Sequence, residues 1–205
     1  MAKAIDHNVR KRLVVTKAMK IFAQMGYSKV SFLTISEATG IARTALYRYF
    51  KTKRELFDEA ISELTGSIMI ELRDVMTREI PVPRRMELVC DLVVDEFFSK
   101  RDFFLAIFDF VFSMVRVGED MTARIAMFTD GLKLVFRKLI DQGIADGSIR
   151  PQRNTEITVD ALFALMESVA FRVILNNEKS PSSGKARFRE MISLLAKNPD
   201  YGSQL

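Results

Sequence analysis

Along almost the whole of this chain, apolar residues recur every three or four positions, and no stretch of strand length alternates cleanly between apolar and polar. A chain patterned in this way buries its apolar surface by packing helix against helix, so the expected class is all-α. Val14, Ala18, Ile21, Phe22 and Met25 make one apolar face, and Gly26 supplies the left-handed residue that stops that helix. Ser31 is placed to cap a short second helix that carries Ile35 and Ala38 inward, and Gly40 ends it. A third helix is expected over about 42–50, with Leu46 and Phe50 facing the core. Thr52 and Glu55 have the spacing of a capping box for a long fourth helix, which has a weak point at Gly66-Ser67.

Further on, Pro81 and Pro83 in "IPVPRR" are expected to break the fourth helix. Helices are expected over 84–99, 102–116, 120–142 and 155–176. The polar segment "NNEKSPSSGK" then reads as a loop leading to a last helix over 185–197. The helix over 102–116 is apolar nearly all round and belongs in a core. Its polar residues Asp102, Asp109, Ser113 and Arg116 form a narrow stripe.

Charge is unevenly placed. Residues 1–60 hold 12 Lys and Arg against 5 Asp and Glu, whereas residues 61–205 hold 19 against 21. A basic head on a near-neutral body points to a polyanionic partner for the head. No run is apolar enough for a membrane span, so no membrane association is expected. The segment "MAKAIDHNVRKR" has no apolar signal region, and Cys90 is the only cysteine. The expected location is therefore cytoplasmic. An enzyme is not expected. The only histidine, His7, lies in what reads as a tail, Cys90 sits among apolar residues, and no phosphate-binding glycine motif occurs. Neither a cofactor nor a metal is implied.

The head itself carries the chemistry. Two short helices joined by a glycine turn, the second bearing exposed basic and aromatic residues, describe a helix-turn-helix. With Leu46 and Phe50 buried, Arg43, Thr44, Tyr47 and Arg48 share the opposite face. An arginine there can grip guanine O6 and N7 bidentately, worth about 1–3 kcal/mol of discrimination. Thr44 and Ala45 are small enough to let the helix reach base edges. Tyr47 and Tyr49 have hydroxyls that reach phosphates, and Lys53 adds its charge to the positive end of the fourth helix. Lys51 and Arg54 read as solvated charge.

The segment "AMKIFAQMGYSKVSFLTISEATGIARTALYRYFKTKRELF" resembles the DNA-binding domain of the tetracycline-repressor (TetR) family of bacterial transcription regulators. The likeness lies in Phe-Ala-x-x-Gly-Tyr, Ile-x-x-Ala-x-Gly-Ile, Leu-Tyr-x-Tyr-Phe and Lys-x-Glu-Leu-Phe, and covers residues 9–61. It implies that Ser31 and Thr34 lie near a phosphate, that Arg43, Thr44, Ala45 and Arg48 meet bases, and that Tyr47, Tyr49 and Lys53 meet the backbone. Ala42 stands where members usually have a capping Ser, and Ala45 where Thr is frequent.

The resemblance further implies a three-helix DNA-binding domain over 1–52 and a helical ligand-binding and dimerisation domain over 53–205. A homodimer through the last two helices would bind a palindromic, double-stranded DNA operator and act as a ligand-responsive repressor. Phe97, Phe104, Phe108, Phe112, Met127, Phe128, Phe163 and Met166 are the expected lining of a pocket for an apolar or aromatic small-molecule effector. The expected helix over 155–176 is apolar on more than one face, which fits one face toward its own core and another toward a twin. The alternative is a DNA-binding protein of this fold with no small-molecule ligand, acting through protein partners.

Overall fold

The structure, a computed structural model, describes residues 2–175 and 178–198, apart from the side chains of residues 2–7 and of Phe128. Among the described residues the regular elements are helices. They run α1 (Ala2–Met25), a 3-10 turn (Tyr27–Lys29), α2 (Phe32–Thr39), α3 (Arg43–Tyr49), α4 (Lys53–Thr77) and α5 (Val82–Ser99). After these come α6 (Arg101–Arg116), α7 (Thr122–Asp146), α8 (Thr155–Ile174) and α9 (Pro181–Leu195). The fold is all-α, and its extended pairing is one isolated bridge between Ile149 and Ala196. None of these helices is long and apolar enough to cross a membrane.

The chain divides into two compact units: Met1–Gly66 with Asp102–Ala123, and Ser67–Arg101 with Arg124–Leu205. The division falls at the Gly66-Ser67 pair, although α4 continues through it without a break. In the first unit, α1 contributes Val14, Ala18 and Phe22 to a core shared with Ile35, Leu46, Phe50, Leu56 and Phe57, all buried. Each such side chain removed from water is worth about 1.5–3 kcal/mol. Rings from three helices and the turn meet at its centre. Tyr27 lies 5.6 Å from Phe22, 5.5 Å from Phe57 and 4.7 Å from Phe110.

In the second unit, α5 packs against α8 and α9. Ion pairs Lys185–Asp95 (2.7 Å) and Arg189–Asp91 (3.1 Å) flank the α5–α9 contact. Arg101 donates to the carbonyls of Val173 and Ile174 at 3.0 and 2.6 Å, satisfying acceptors that the end of α8 leaves open. Cys90 is fully buried, and burial pushes its thiol well above its ordinary value, as befits an inert packing residue.

Several local expectations are corrected. The expected break is there, α4 ending at Thr77, but α5 opens at Val82, two residues earlier than expected, with Pro81 as the N-cap residue and Pro83 in its first turn. The missing proline N–H costs nothing there, because a first-turn amide has no intrahelical partner. For the same reason Pro181 opens α9, four residues earlier than expected, behind a Ser180 cap. Helix α7 passes through Gly143 to Asp146. Met25 and Ala38 are exposed, not inward. His7 lies within α1, not in a tail. Thr52 does accept the Glu55 amide at 3.1 Å, but the Glu55 carboxylate takes the Lys51 amide at 2.7 Å, so the capping box is not closed. Asn176, the expected last residue of the eighth helix, lies outside the described residues.

Helix α6 departs most from its reading. Phe112 is 51% exposed and Val115 55%, while Ser113 is buried. Within the polar stripe, Asp109 and Ser113 turn inward because they find partners there, while Asp102 and Arg116 stay exposed. Asp109 accepts the Tyr27 amide at 2.6 Å, and the Ser28 hydroxyl lies 3.3 Å from that of Ser113.

Candidate nucleic-acid interface

The site is built by α2, the turn after it, and α3. Ser31 and Thr34 close a reciprocal capping box at the start of α2, in which the Ser31 hydroxyl accepts the Thr34 amide at 3.2 Å and the Thr34 hydroxyl accepts the Ser31 amide at 3.3 Å. Gly40 ends the helix at φ +69, where a Cβ would be strained, and donates to the Ser36 carbonyl at 2.9 Å. Ala42 offers no side-chain cap. Helix α3 is held instead by Leu46 and Phe50, 0% and 2% exposed, which pin one face to the core.

The opposite face is open. Arg43, Thr44, Tyr47 and Arg48 are exposed, and Ala45 and Tyr49 are half-buried. Two of these side chains are ordered before any partner arrives. The Tyr47 ring stands edge-on to the buried Phe32 at 4.9 Å. Arg43 lies 5.5 Å over the Tyr47 ring, its guanidinium donating to the hydroxyl at 3.3 Å. A guanidinium braced on an aromatic face loses less freedom when it grips a base edge or phosphate.

Beside α3 an open cleft of about 340 Å³ is lined by residues 28–32, Tyr47 and residues 51–53. It brings together Ser31, Tyr47 and Lys53 of the expected contact set. The Lys53 ammonium spends its donors on three backbone carbonyls, of Tyr27 (2.7 Å), Val30 (3.0 Å) and Ser28 (3.4 Å). It also sits 4.3 Å over the Tyr27 ring. Burial lowers its pKa from the ordinary lysine value.

Two features were missed by sequence reasoning. Arg54 is not solvated charge but grips Glu119 bidentately at 3.0 and 2.5 Å, which keeps its guanidinium more firmly protonated. The Asp109–Tyr27 bond was signalled only by the polar stripe of α6, which reads equally well as a solvent-facing edge. The residues expected around an effector divide between the units. Phe104, Phe108 and Phe112 belong to the first, with the rings of Phe108 and Phe112 6.3 Å apart. Phe97 and Met166 are buried in the second, Phe163 is half-buried under Lys133, and Met127 is 79% exposed. The Phe128 side chain lies outside the described residues.

Residues 14–60 match the family model of bacterial regulatory proteins, tetR family. The chain is 23% identical over 163 residues to the HTH-type transcriptional regulator YhgD of Bacillus subtilis, covering 79% of this chain and 83% of that one. It is 21% identical to the nucleoid occlusion factor SlmA of Pasteurella multocida, covering 68% and 71%. Among solved structures, the regulator FadR of Bacillus subtilis in complex with stearoyl-CoA superposes with a TM-score of 0.72 at 16% identity, covering 90% of this chain and 96% of that one.

Proposed function

We propose, from the premise that this chain is a transcriptional regulator of the tetR family, that it is a ligand-responsive repressor binding a palindromic DNA operator as a cytoplasmic homodimer. The head over 1–52 reads the DNA, and the helices over 53–205 bind the effector and pair the protomers. Arg43, Thr44, Ala45 and Arg48 meet base edges. Tyr47, Tyr49, Ser31 and Thr34 meet phosphates, and Lys53, whose donors are taken by three carbonyls in the free protein, acts on the DNA backbone through its charge. The observation that carries this reading is the open face of α3, where Arg43 stacks on Tyr47 beside a cleft whose lining includes Ser31, Thr52, Lys29 and Lys51.

Support for the dimer comes from α8. Its buried face is Val159, Leu162, Met166, Val169, Ala170 and Val173. A second row, Ile157, Ala161, Ala164, Ser168, Phe171 and Leu175, steps by four and three and is exposed along its length. A mostly apolar row of that spacing fits a partner helix. Two copies then present two recognition helices about 34–36 Å apart, one turn of B-DNA.

The effector offers the expected lining residues an apolar or aromatic group, and fatty acyl-CoA, the class to which stearoyl-CoA belongs, with an apolar chain on a charged head, is the first to test. Coupling is reciprocal: effector must weaken operator binding by the factor by which operator weakens effector binding, commonly about 5–150-fold. Titration of stearoyl-CoA with and without operator measures both factors. Equal affinity in the two titrations would rule out gating by this ligand. Alanine at Phe97, Phe108 or Met166 in turn would then report which helices take part. The likeness to a nucleoid occlusion factor favours one alternative, a DNA-binding protein of this fold that has no small-molecule ligand and acts through protein partners. A saturable change in operator affinity on adding a small molecule separates the two.

DNA affinity itself should fall by about 10³–10⁵ between 50 and 200 mM salt if about 6–10 phosphates are neutralised. A flat salt profile would remove DNA from the account.

A further inference from the structure

We propose that Asp109 is a positioning residue for DNA reading. Its carboxylate, on α6, fixes residues 26–30, the turn that carries α1 into α2, and so sets the approach of α3 to the major groove. The inference rests on the DNA-binding reading above.

The turn is held by opposite charges acting on its backbone. On one side the Tyr27 amide donates to Asp109 Oδ2 at 2.6 Å, a short, charge-assisted bond. On the other side the Lys53 ammonium takes the carbonyls of Tyr27, Ser28 and Val30. Tyr27 therefore has its N–H on an anion from α6 and its C=O on a cation from α4, and Ser28 and Val30 share that cation. Gly26 gives the turn its backbone conformation. What calls for glycine is its φ of +82, which favours a residue without a Cβ; a Cβ built there would itself meet the same Oδ2 at an ordinary 3.4 Å.

Other contacts fix the carboxylate's own place. Arg116 donates to the Ser113 hydroxyl at 3.0 Å, and Ser113 lies 3.3 Å from Ser28. Tyr27 packs edge-on against Phe110, the residue next to Asp109. Glu119, beyond the end of α6, is held by Arg54 near the start of α4. Asp109 and Ser113, the middle of the polar stripe of α6, face this turn.

The consequence for DNA follows from connectivity. Val30 leads directly into the Ser31 cap of α2, and α2 and α3 are joined by only three residues. A turn released from Asp109 shifts both helices together. Bidentate base contacts demand near-ideal geometry, whereas attraction of lysines and arginines to phosphates does not. Loss of the carboxylate also removes a negative charge, which favours non-specific binding. The signature is therefore a change in the ratio of specific to non-specific affinity, which a stability defect in the folded fraction would leave alone.

The test uses the full chain and a duplex consensus selected by the wild type from a random pool, with a scrambled duplex as control. Asp109→Ala should lower consensus affinity roughly tenfold or more while scrambled affinity holds or rises and the salt slope is unchanged. Asp109→Asn, which keeps an oxygen acceptor, should restore most of the ratio. Amide hydrogen exchange at Tyr27 should quicken in the Ala variant and stay slow in the Asn variant. If the Ala variant does not fold, Asp109→Glu, which moves the carboxylate by one methylene, should lower the same ratio. A wild-type consensus-to-scrambled ratio in Asp109→Ala, or in Asp109→Glu where Ala fails, overturns the proposal and leaves the DNA reading standing. Failure of the wild type to enrich any sequence overturns both.

Discussion

Arg43 and Arg48 share an exposed face of α3, but only Arg43 is shown braced on a ring, that of Tyr47. Arg43→Ala and Arg48→Ala should each lose preference for one base step per half-site while non-specific binding drops modestly, as a panel of single-base operator variants would show. Full operator selectivity in both would mean that the reading surface has been misassigned. Lys53 behaves differently from either, because it holds three carbonyls in the free protein. Lys53→Ala should therefore cost about 1–3 kcal/mol of stability in denaturant titration, in addition to weakening all DNA sequences alike. Unchanged stability would mean that those bonds are only marginal. The exposed face of α3 was legible in the sequence because a seven-residue helix pinned by buried Leu46 and by Phe50 just past its end leaves little choice about the rest. The partners of Lys53 and Arg54 were not legible, since they depend on residues 23–26 and 65 positions away in the chain.

Among the elements, helix existence followed from the three-and-four spacing of apolar residues, and the errors gathered where a residue type has two uses. Proline breaks helices but also starts them, so Pro83, read only as a break, lies in the first turn of α5, and Pro181, inside a segment read as a loop, opens α9. The stripe Asp109–Ser113–Arg116 marks an edge in contact with something polar, and spacing does not say whether that is water or a backbone turn. Gly143 illustrates a third ambiguity, being neither a stop nor a hinge. A Cβ there would come within 2.3 Å of Ile149 Cγ1 and 3.1 Å of Val82 Cγ1, both on buried residues. Gly143→Ala should cost about 1–3 kcal/mol as α7 is forced away from these neighbours, measurable as a lowered denaturation midpoint. The approach to α9 carries a pH dependence of known sign. The Ser183 hydroxyl and the Arg187 guanidinium hold the Glu178 carboxyl below its ordinary value. Its folded pKa being the lower one, the stabilisation is complete above the ordinary carboxylate range and is lost as pH falls through the folded value. Glu178→Gln should flatten that acid limb of the stability profile, and an unaltered limb would remove the pair from it.

For the whole molecule, the account joins a basic head to helices that leave a mostly apolar row on α8 uncovered. Phe171 is 47% exposed and Ile157 66%, the kind of surface a second copy would cover. Phe171→Asp should convert a dimer to a monomer in sedimentation at micromolar concentration and reduce operator affinity far more than non-specific affinity, because two half-sites must be held at once. A variant that sediments as the wild type does would move the interface elsewhere. The basic character of the head was legible from the charge difference between residues 1–60 and 61–205. The placing of α6 with the head's unit was not, because nothing in its own pattern distinguishes one apolar neighbour from another. The central claim, that two copies of this chain read DNA sequence with α3, is tested most directly by selection of duplex DNA from a random pool with the wild-type protein. The account predicts an enriched inverted repeat whose half-sites lie about 10 base pairs apart, centre to centre, or a multiple of that. Enrichment of no sequence, with binding that depends only on salt, would contradict it.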